Sequence, residues 1–149
     1  MATTPLPRDF RDFLKLLEDE EVDYLLIGGY AVGYYGYPRA TADMDVWIAV
    51  NPRNAEKAVR VLARFGMKAP SVNVDLFLDK GKVIRMGVPP MRLEIQTDIS
   101  GVEFAACFAR RRRVDMGGVE VNLIDIEDLK INKRASGRHK DLDDLEHLP

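Results

Sequence analysis

Two aspartates, Asp43 and Asp45, stand at the start of an apolar run that ends at Val50. Alternate side chains of an extended strand share a face, so both carboxylates point the same way, about 6.6 Å apart along the strand. Carboxylates at this spacing can converge on ions lying between them, and two-metal phosphoryl-transfer sites hold ions about 3.5–4 Å apart. The alternative for this tripeptide alone is a solvated, inert pair at a strand entrance, because short motifs also occur by chance.

A third carboxylate lies in the segment MRLEIQTD, in which Glu94 and Asp98 share one face of a second predicted strand. If this strand pairs beside the strand of Asp45, Glu94 completes a cluster of three acids. Three carboxylates at such short distances repel one another unless cations lie between them. Mg²⁺ is the usual cation at sites where oxygen ligands leave some coordination positions to water. Asp98, about 13 Å farther along the same face, is the fallback third ligand. The alternative is an ordinary row of solvent-facing side chains.

Two further features could bind phosphate. Gly28 and Gly29 close an apolar strand and open a short helix, where glycine lets the backbone approach a phosphate closely. A tight turn would also account for the pair. Lys130, Lys133 and Arg134 are spaced to share one side of a helix. They could neutralise a triphosphate, hold a nucleic-acid acceptor, or form a solvated helix face.

The elements that must position these residues follow from hydrophobic periodicity and from turn residues. Helices are predicted over residues 7–20, 29–36, 51–65 and 125–136, and strands over 22–27, 44–50, 82–86 and 91–97. A hairpin turns at Gly117 and Gly118, whereas residues 67–80 fit either a helical turn or a strand. The predicted fold class is α+β, a mixed β-sheet with helices packed mainly on one side.

Two helices are predicted from their apolar residues. Ser100 is expected to cap a helix that buries three apolar side chains, those of Phe104, Cys107 and Phe108. The last helix carries three leucines at three-residue intervals, Leu142, Leu145 and Leu148.

Composition narrows the class of protein. The chain has 149 residues, which fits one domain spanning 1–149. Its net charge of −2 excludes a generally basic nucleic-acid binder, so an anionic partner would bind locally. The single cysteine cannot form an internal disulfide, which favours a reducing compartment. No apolar run approaches the roughly 20 residues of a membrane span and no secretory signal opens the chain, so we expect a cytoplasmic protein without membrane contact.

In combination, the segment LLIGGYAVGYYGYPRATADMDVWI, Glu94 and the segment DLKINKRASGRHKDLDDL resemble the nucleotidyltransferase-fold superfamily, which includes DNA polymerase β. Within it, the chain is most similar to the small abortive-infection (AbiEii-like) nucleotidyltransferases, which are often toxin or antitoxin components. The resemblance extends from about Val22 to Leu145.

This resemblance implies a role for each motif. Gly28 and Gly29 would hold the triphosphate of an NTP, and Asp43 and Asp45 would bind two Mg²⁺ ions. Glu94 would be the third catalytic carboxylate and would bind the metal ion that activates the attacking hydroxyl.

Three more residues join the predicted nucleotide site through the same resemblance. Tyr30 stands where many members carry a serine whose hydroxyl meets phosphate, and Arg39 is expected to pair with a phosphate or a carboxylate. Lys133 is expected to face the cleft. Glu94 is one methylene longer than the aspartate that is usual at its position.

The function implied is Mg²⁺-dependent transfer of a nucleoside monophosphate from an NTP to an acceptor hydroxyl. The acceptor would be an RNA 3′ end, a protein side chain or a small molecule, and a cognate partner protein or a second copy of the chain would help to bind it. Two alternatives remain open: γ-phosphoryl transfer by the same cluster, and a non-catalytic module that binds nucleotide or a partner.

Overall fold

The computed structural model describes residues 6–38, 41, 43–87 and 92–149. Six helices and six strands follow one another in this part of the chain: α1 (Arg8–Asp19), β1 (Tyr24–Ile27), α2 (Gly28–Tyr34), β2 (Asp43–Ile48), α3 (Pro52–Arg64), β3 (Val83–Met86), β4 (Arg92–Gln96), α4 (Phe104–Ala109), β5 (Arg112–Met116), β6 (Val119–Leu123), α5 (Ile126–Ser136) and α6 (His139–His147). Residues 67–80, which the sequence left open, contain a 3₁₀ helix at Val74–Phe77.

The strands form one mixed sheet in the order β3-β4-β2-β1-β6-β5. β2 runs parallel to β4 and β1 runs parallel to β6, whereas the other neighbouring pairs are antiparallel. Because β2 and β4 are parallel, the chain must cross over between them, and α3, the 3₁₀ helix and β3 provide that connection. The predicted mixed sheet is confirmed.

The two faces of β2 differ in chemistry. Met44, Val46 and Ile48 are buried on one face, as the strand period of two requires. Asp45 and Trp47 lie on the other face, where only the far end is apolar. There Trp47 packs edge-on against Phe104 of α4, with ring centroids 5.0 Å apart. The acidic end of this face is therefore left for a polar site.

Local signals set several boundaries as predicted. Asn51 caps α3 by accepting a hydrogen bond from the Asn54 amide, and Pro52 occupies the first helical position. Gly117 and Gly118 both have positive φ, the conformation of a primed hairpin turn. Gly137 ends α5 in the left-handed conformation. None of the helices in the described part of the chain is long and apolar enough to cross a membrane.

The prediction for the helix after Ser100 was wrong in its start and its burial. The helix begins at Phe104 with Glu103 as N-cap, because Gly101 turns the chain with a φ of +82°. Cys107 alone of the three apolar residues is fully buried. The Phe104 and Phe108 rings stack on each other at 5.3 Å and remain half-buried.

The predicted last helix is present as α6, and it presents acidic side chains to the fold. α6 buries Asp141 and Asp144, whereas Leu142 is 46% exposed and Leu148, just after the helix, is 8% exposed. The side chain of Lys133 on α5 lies against both aspartates, so charge pairing contributes to holding α6 in place.

Candidate active site

The parallel pairing of β2 with β4 gathers the acidic residues on one face of the sheet. Its register sets Asp45 directly beside Glu94, and Asp43 directly beside Arg92. The pairing on which a third carboxylate depended is therefore present. Neighbouring strands lie about 4.8 Å apart, so side chains that are in register on one face of the sheet lie close together.

Two arginines lie against this cluster. Nη2 of Arg92 donates to Oδ2 of Asp43 at 2.9 Å and stands 3.9 Å from Oε2 of Glu94. Nε of Arg85, on the edge strand β3, is 3.6 Å from the other oxygen of Glu94. Across the ranges that the structure describes, no three acidic, histidine or cysteine side chains are drawn together as a ready metal site. The protein's own guanidinium groups occupy the approach to the carboxylates instead.

Asp45 differs from its neighbours because neither arginine contacts it. Its polar partner is the Gln96 amide, 3.5 Å away. Burial, reinforced by the negative charges of Glu94 and Asp43, raises the pKa of Asp45 to about 6. The charge of Lys133 opposes this rise only in part. A pKa raised above the usual 3.8 marks a buried carboxylate whose negative charge is not fully compensated by its neighbours.

The glycine pair is explained by close approach to the acidic strand. A Cβ on Gly28 would lie 2.3 Å from Oδ2 of Asp45, and the φ of Gly28 is +69°. A Cβ on Gly29 would lie 2.5 Å from Oγ1 of Thr41, whose hydroxyl donates to the backbone carbonyl of Asp43. Glycine at position 28 therefore lets the backbone pass close to Asp45, and glycine at position 29 lets it pass close to Thr41.

Gly28→Ala is expected to lower the free energy of unfolding by about 2–3 kcal/mol, because left-handed strain adds to the collision with Asp45. Gly81→Ala is the matched control: Gly81 also has a positive φ, +81°, but open space surrounds its Cβ position. That variant should lose only about 1 kcal/mol. Urea denaturation measures the free energy of unfolding of both variants. Equal losses in the two would show that the collision of a Cβ at position 28 with Asp45 does not destabilise the fold.

Basic side chains from α5 and α6 line the opposite wall of the same cleft, which has a volume of about 480 Å³. Lys133, Arg138 and Lys140 belong to this wall, and Gly28, Gly29 and the three carboxylates line the rest. A cleft with acids on one wall and cations on the other suits a polyphosphate that approaches with metal ions.

Lys133 is held in a buried cluster of charges. Its Nζ lies 3.3 Å from Oδ1 of Asp141 and 3.0 Å from Oδ2 of Asp144, and the three side chains are 6%, 1% and 0% exposed. Arg138 also donates to Asp141, at 2.8 Å. Burial would raise the pKa of Asp141, but hydrogen bonds from Arg138 and Ser136, with the charge of Lys133, hold it at about 2. Lys133 therefore lines the cleft while its ammonium group is held by two buried aspartates.

The remaining predicted residues have different outcomes. Tyr30 is buried in the core with its ring edge-on to Phe10 at 5.8 Å, so its side chain does not face the cleft. The prediction of a nucleotide contact by this side chain is corrected accordingly: α2 turns the residue after the glycine pair inward. Arg39 lies outside the described residues. Asp98 lines the cleft but sits beyond the end of β4, apart from the register that joins Asp45 to Glu94.

Sequence reasoning did not anticipate two contacts of the site. Arg92 shares the strand face of Glu94, and that alternation was the available signal for its contact with Asp43. Asp141 and Asp144 belong to the segment on which the family resemblance rests, but the burial of both carboxylates against Lys133 was not predicted. Their three-residue spacing, which puts both on one side of α6, was the available signal.

Comparison with known proteins shows the fold. Neither a protein-family model nor a curated protein sequence matches the chain. Among solved structures, it is similar to a Thermotoga maritima protein described as a "putative nucleotidyltransferase", with a TM-score of 0.60 and 16% sequence identity. The match covers 93% of this chain and 89% of that one. The chain therefore has a nucleotidyltransferase fold.

Proposed function

We propose that this protein is a metal-dependent nucleotidyltransferase, which transfers a nucleoside monophosphate from an NTP to an acceptor hydroxyl. The observation that carries the proposal is the strand register that sets Asp45 beside Glu94, facing a cleft whose opposite wall is basic. The nucleotidyltransferase fold supports it.

The donor set suits Mg²⁺. Asp43, Asp45 and Glu94 offer hard oxygen ligands from neighbouring strand positions, and the pKa of Asp45 is raised first by burial and then by the negative charges of Glu94 and Asp43. These three carboxylates would hold two ions, as the family resemblance implies. When bound, the ions would supply charge stabilisation at the α-phosphate and at the departing pyrophosphate.

The chain's own residues have separate tasks in this proposal. The backbone amides of Gly28 and Gly29 would bind triphosphate oxygens at the start of α2, because a residue without a side chain of its own lets a phosphate approach its backbone closely. Lys133 and Lys140, on the basic wall, would offset phosphate charge. Glu94 would accept the proton of the attacking hydroxyl, so that the new bond from oxygen to the α-phosphorus forms as the bond to pyrophosphate breaks.

The position of the transferred phosphorus tests the proposal. The protein is incubated with Mg²⁺, candidate RNA and protein acceptors, and an NTP labelled with ³²P at either the α or the γ position. We expect label from the α position in the acceptor and γ label in released pyrophosphate. Transfer of γ label would instead show a phosphoryl transferase, and transfer of neither label by a protein that binds NTP would show a binding module.

We also propose a biological role, which is based on the resemblance to AbiEii-like proteins. The protein would act as a component of a toxin–antitoxin pair, with RNA or a protein as acceptor and with a cognate partner or a second copy completing the acceptor site. Induced expression in a bacterial host should slow growth if the chain is the toxin. Growth unaffected by the wild type and by an Asp43→Asn variant alike would contradict a toxin role.

A further inference from the structure

One nitrogen atom of Arg92 stands between two of the carboxylates assigned to metal binding. Nη2 is 2.9 Å from Oδ2 of Asp43 and 3.9 Å from Oε2 of Glu94. The strand register fixes this arrangement, because Arg92 is the direct neighbour of Asp43 and precedes Glu94 by two residues on the same strand face. The guanidinium is therefore a built-in feature of the acidic cluster.

The volume between two carboxylates is also where a cation shared by them must lie. Nη2 is hydrogen-bonded to Oδ2 of Asp43 and lies 3.9 Å from Oε2 of Glu94, so the guanidinium stands where such an ion would bind and repels it electrostatically. The two cations therefore compete for the same pair of acids, and the divalent ion can bind only when the arginine leaves.

The guanidinium group of Arg92, in its position beside Asp43, does not use all of its hydrogen-bond donors. Its Nε is buried and donates no hydrogen bond to any described residue. A buried donor without a partner costs free energy, so the ion pair with Asp43 is weaker than a fully bonded guanidinium–carboxylate pair. A cation that binds Asp43 more strongly can therefore replace the Arg92 guanidinium.

Arg85 provides a natural comparison within the same cluster. It too contacts Glu94, at 3.6 Å, but its side chain is 57% exposed and it extends from the edge strand β3. No contact joins Arg85 to Asp43 in the described structure. Its charge is near the carboxylates, whereas Arg92 lies between them.

We propose that Arg92 is an internal counter-cation that a divalent metal ion must displace from Asp43 and Glu94, and that it thereby sets the metal affinity of the site. This inference rests on the proposed function, since it assumes that these carboxylates bind a divalent cation. Without metal the arginine reduces repulsion among the acids. With metal the guanidinium withdraws and the carboxylates turn to the ion.

Binding of Mn²⁺ alone, followed by electron paramagnetic resonance in the absence of nucleotide, tests the inference. Arg92→Gln should bind Mn²⁺ at least about tenfold more tightly than the wild type, because it removes a cation from the position that the metal takes. Arg85→Gln removes one positive charge from the same cluster and should change the affinity less than about threefold, because that charge is exposed and screened.

Thermal unfolding gives a second readout. Without metal, Arg92→Gln should melt below the wild type, since three acids then lose a counter-charge, and Mn²⁺ should raise its melting temperature more than it raises that of the wild type. If Arg92→Gln fails to fold without metal, Arg92→Lys takes its place in the experiment, because it keeps the positive charge on a different head group. Arg92→Lys should show a smaller gain in Mn²⁺ affinity in the same assay.

The outcomes separate the inference from the proposed function. Mn²⁺ affinity that is the same in Arg92→Gln, Arg85→Gln and the wild type would overturn the role of Arg92 and leave the metal site standing. Failure of every folded variant to bind Mn²⁺, with and without NTP, would overturn the metal-dependent function itself. A gain confined to the Arg92 variants supports the displacement.

Discussion

Asp45→Asn is expected to lower nucleotidyl transfer by a factor on the order of 10³ and at the same time to stabilise the fold. The loss of activity follows because an amide is a poor ligand for a hard divalent cation, whose charge stabilisation contributes several kcal/mol to the transition state. The gain in stability follows from the position of Asp45 beside Glu94, where its negative charge is buried and opposed by like charge.

The pH dependence of this gain has a definite sign. The pKa of Asp45 is about 6 in the folded protein and 3.8 in an unperturbed chain, so the folded state binds the proton more tightly. Stability therefore falls as pH rises from about 4 to about 6, and the penalty is complete above that window. It amounts to about 3 kcal/mol at pH 7, since one pKa unit corresponds to about 1.4 kcal/mol.

Thermal denaturation without divalent cations, between pH 3.5 and 7.5, measures the effect. Asp45→Asn should melt several degrees above the wild type at pH 7, and the two should converge near pH 4. Asp43→Asn is the control, because Asp43 is already paired with Arg92 at 2.9 Å. It should lose activity to a similar degree without any gain in stability. Equal melting temperatures for Asp45→Asn and the wild type at pH 7 would contradict the buried, uncompensated charge.

The largest expected loss of stability belongs to Lys133→Ala. The ammonium of Lys133 lies between Asp141 and Asp144, and all three side chains are almost wholly buried. Removing one partner from a buried ion cluster leaves carboxylates in a medium of low dielectric, which typically costs about 3–5 kcal/mol. The loss should also weaken the packing of α6 on α5, since both aspartates belong to α6.

A neighbouring lysine supplies the control. Lys130 lies one turn earlier on α5; it is 3.8 Å from the exposed carboxylate of Glu127 and also donates to the carbonyl oxygen of Pro149. Lys130→Ala should therefore lower the free energy of unfolding by less than about 1 kcal/mol. Urea denaturation of both alanine variants measures the difference. If the two alanine variants unfold at the same urea concentration, the buried cluster does not contribute the stability that its geometry implies.

Much of the site could be predicted because local patterns encode it. The alternation of Asp43 with Asp45 required only a strand, and the spacing of Lys133 required only a helix. The glycine pair was predicted for phosphate, while the structure adds a steric reason: the approach to Asp45 and Thr41. That second reason depends on tertiary contact and is not visible in the chain alone.

The remainder depended on packing between elements. Whether Glu94 joins Asp45 was decided by which strands pair and in which register, and no local pattern determines that. Tyr30 was assigned to the nucleotide by its place after the glycines, but the helical turn directs its ring into the core. The buried charge cluster beneath the last helix was not predicted, because it forms only when Lys133 on α5 packs against the aspartates of α6.

A crystal structure with Mn²⁺ and an NTP analogue whose α,β-bridging oxygen is replaced by methylene tests the proposed metal cluster. We expect anomalous scattering from Mn²⁺ in contact with Asp43, Asp45 and Glu94, and an α-phosphate bound to the same ions. Nucleotide bound in the cleft with Mn²⁺ placed elsewhere, or with Glu94 still paired to its arginines and remote from any metal, would contradict the proposed cluster.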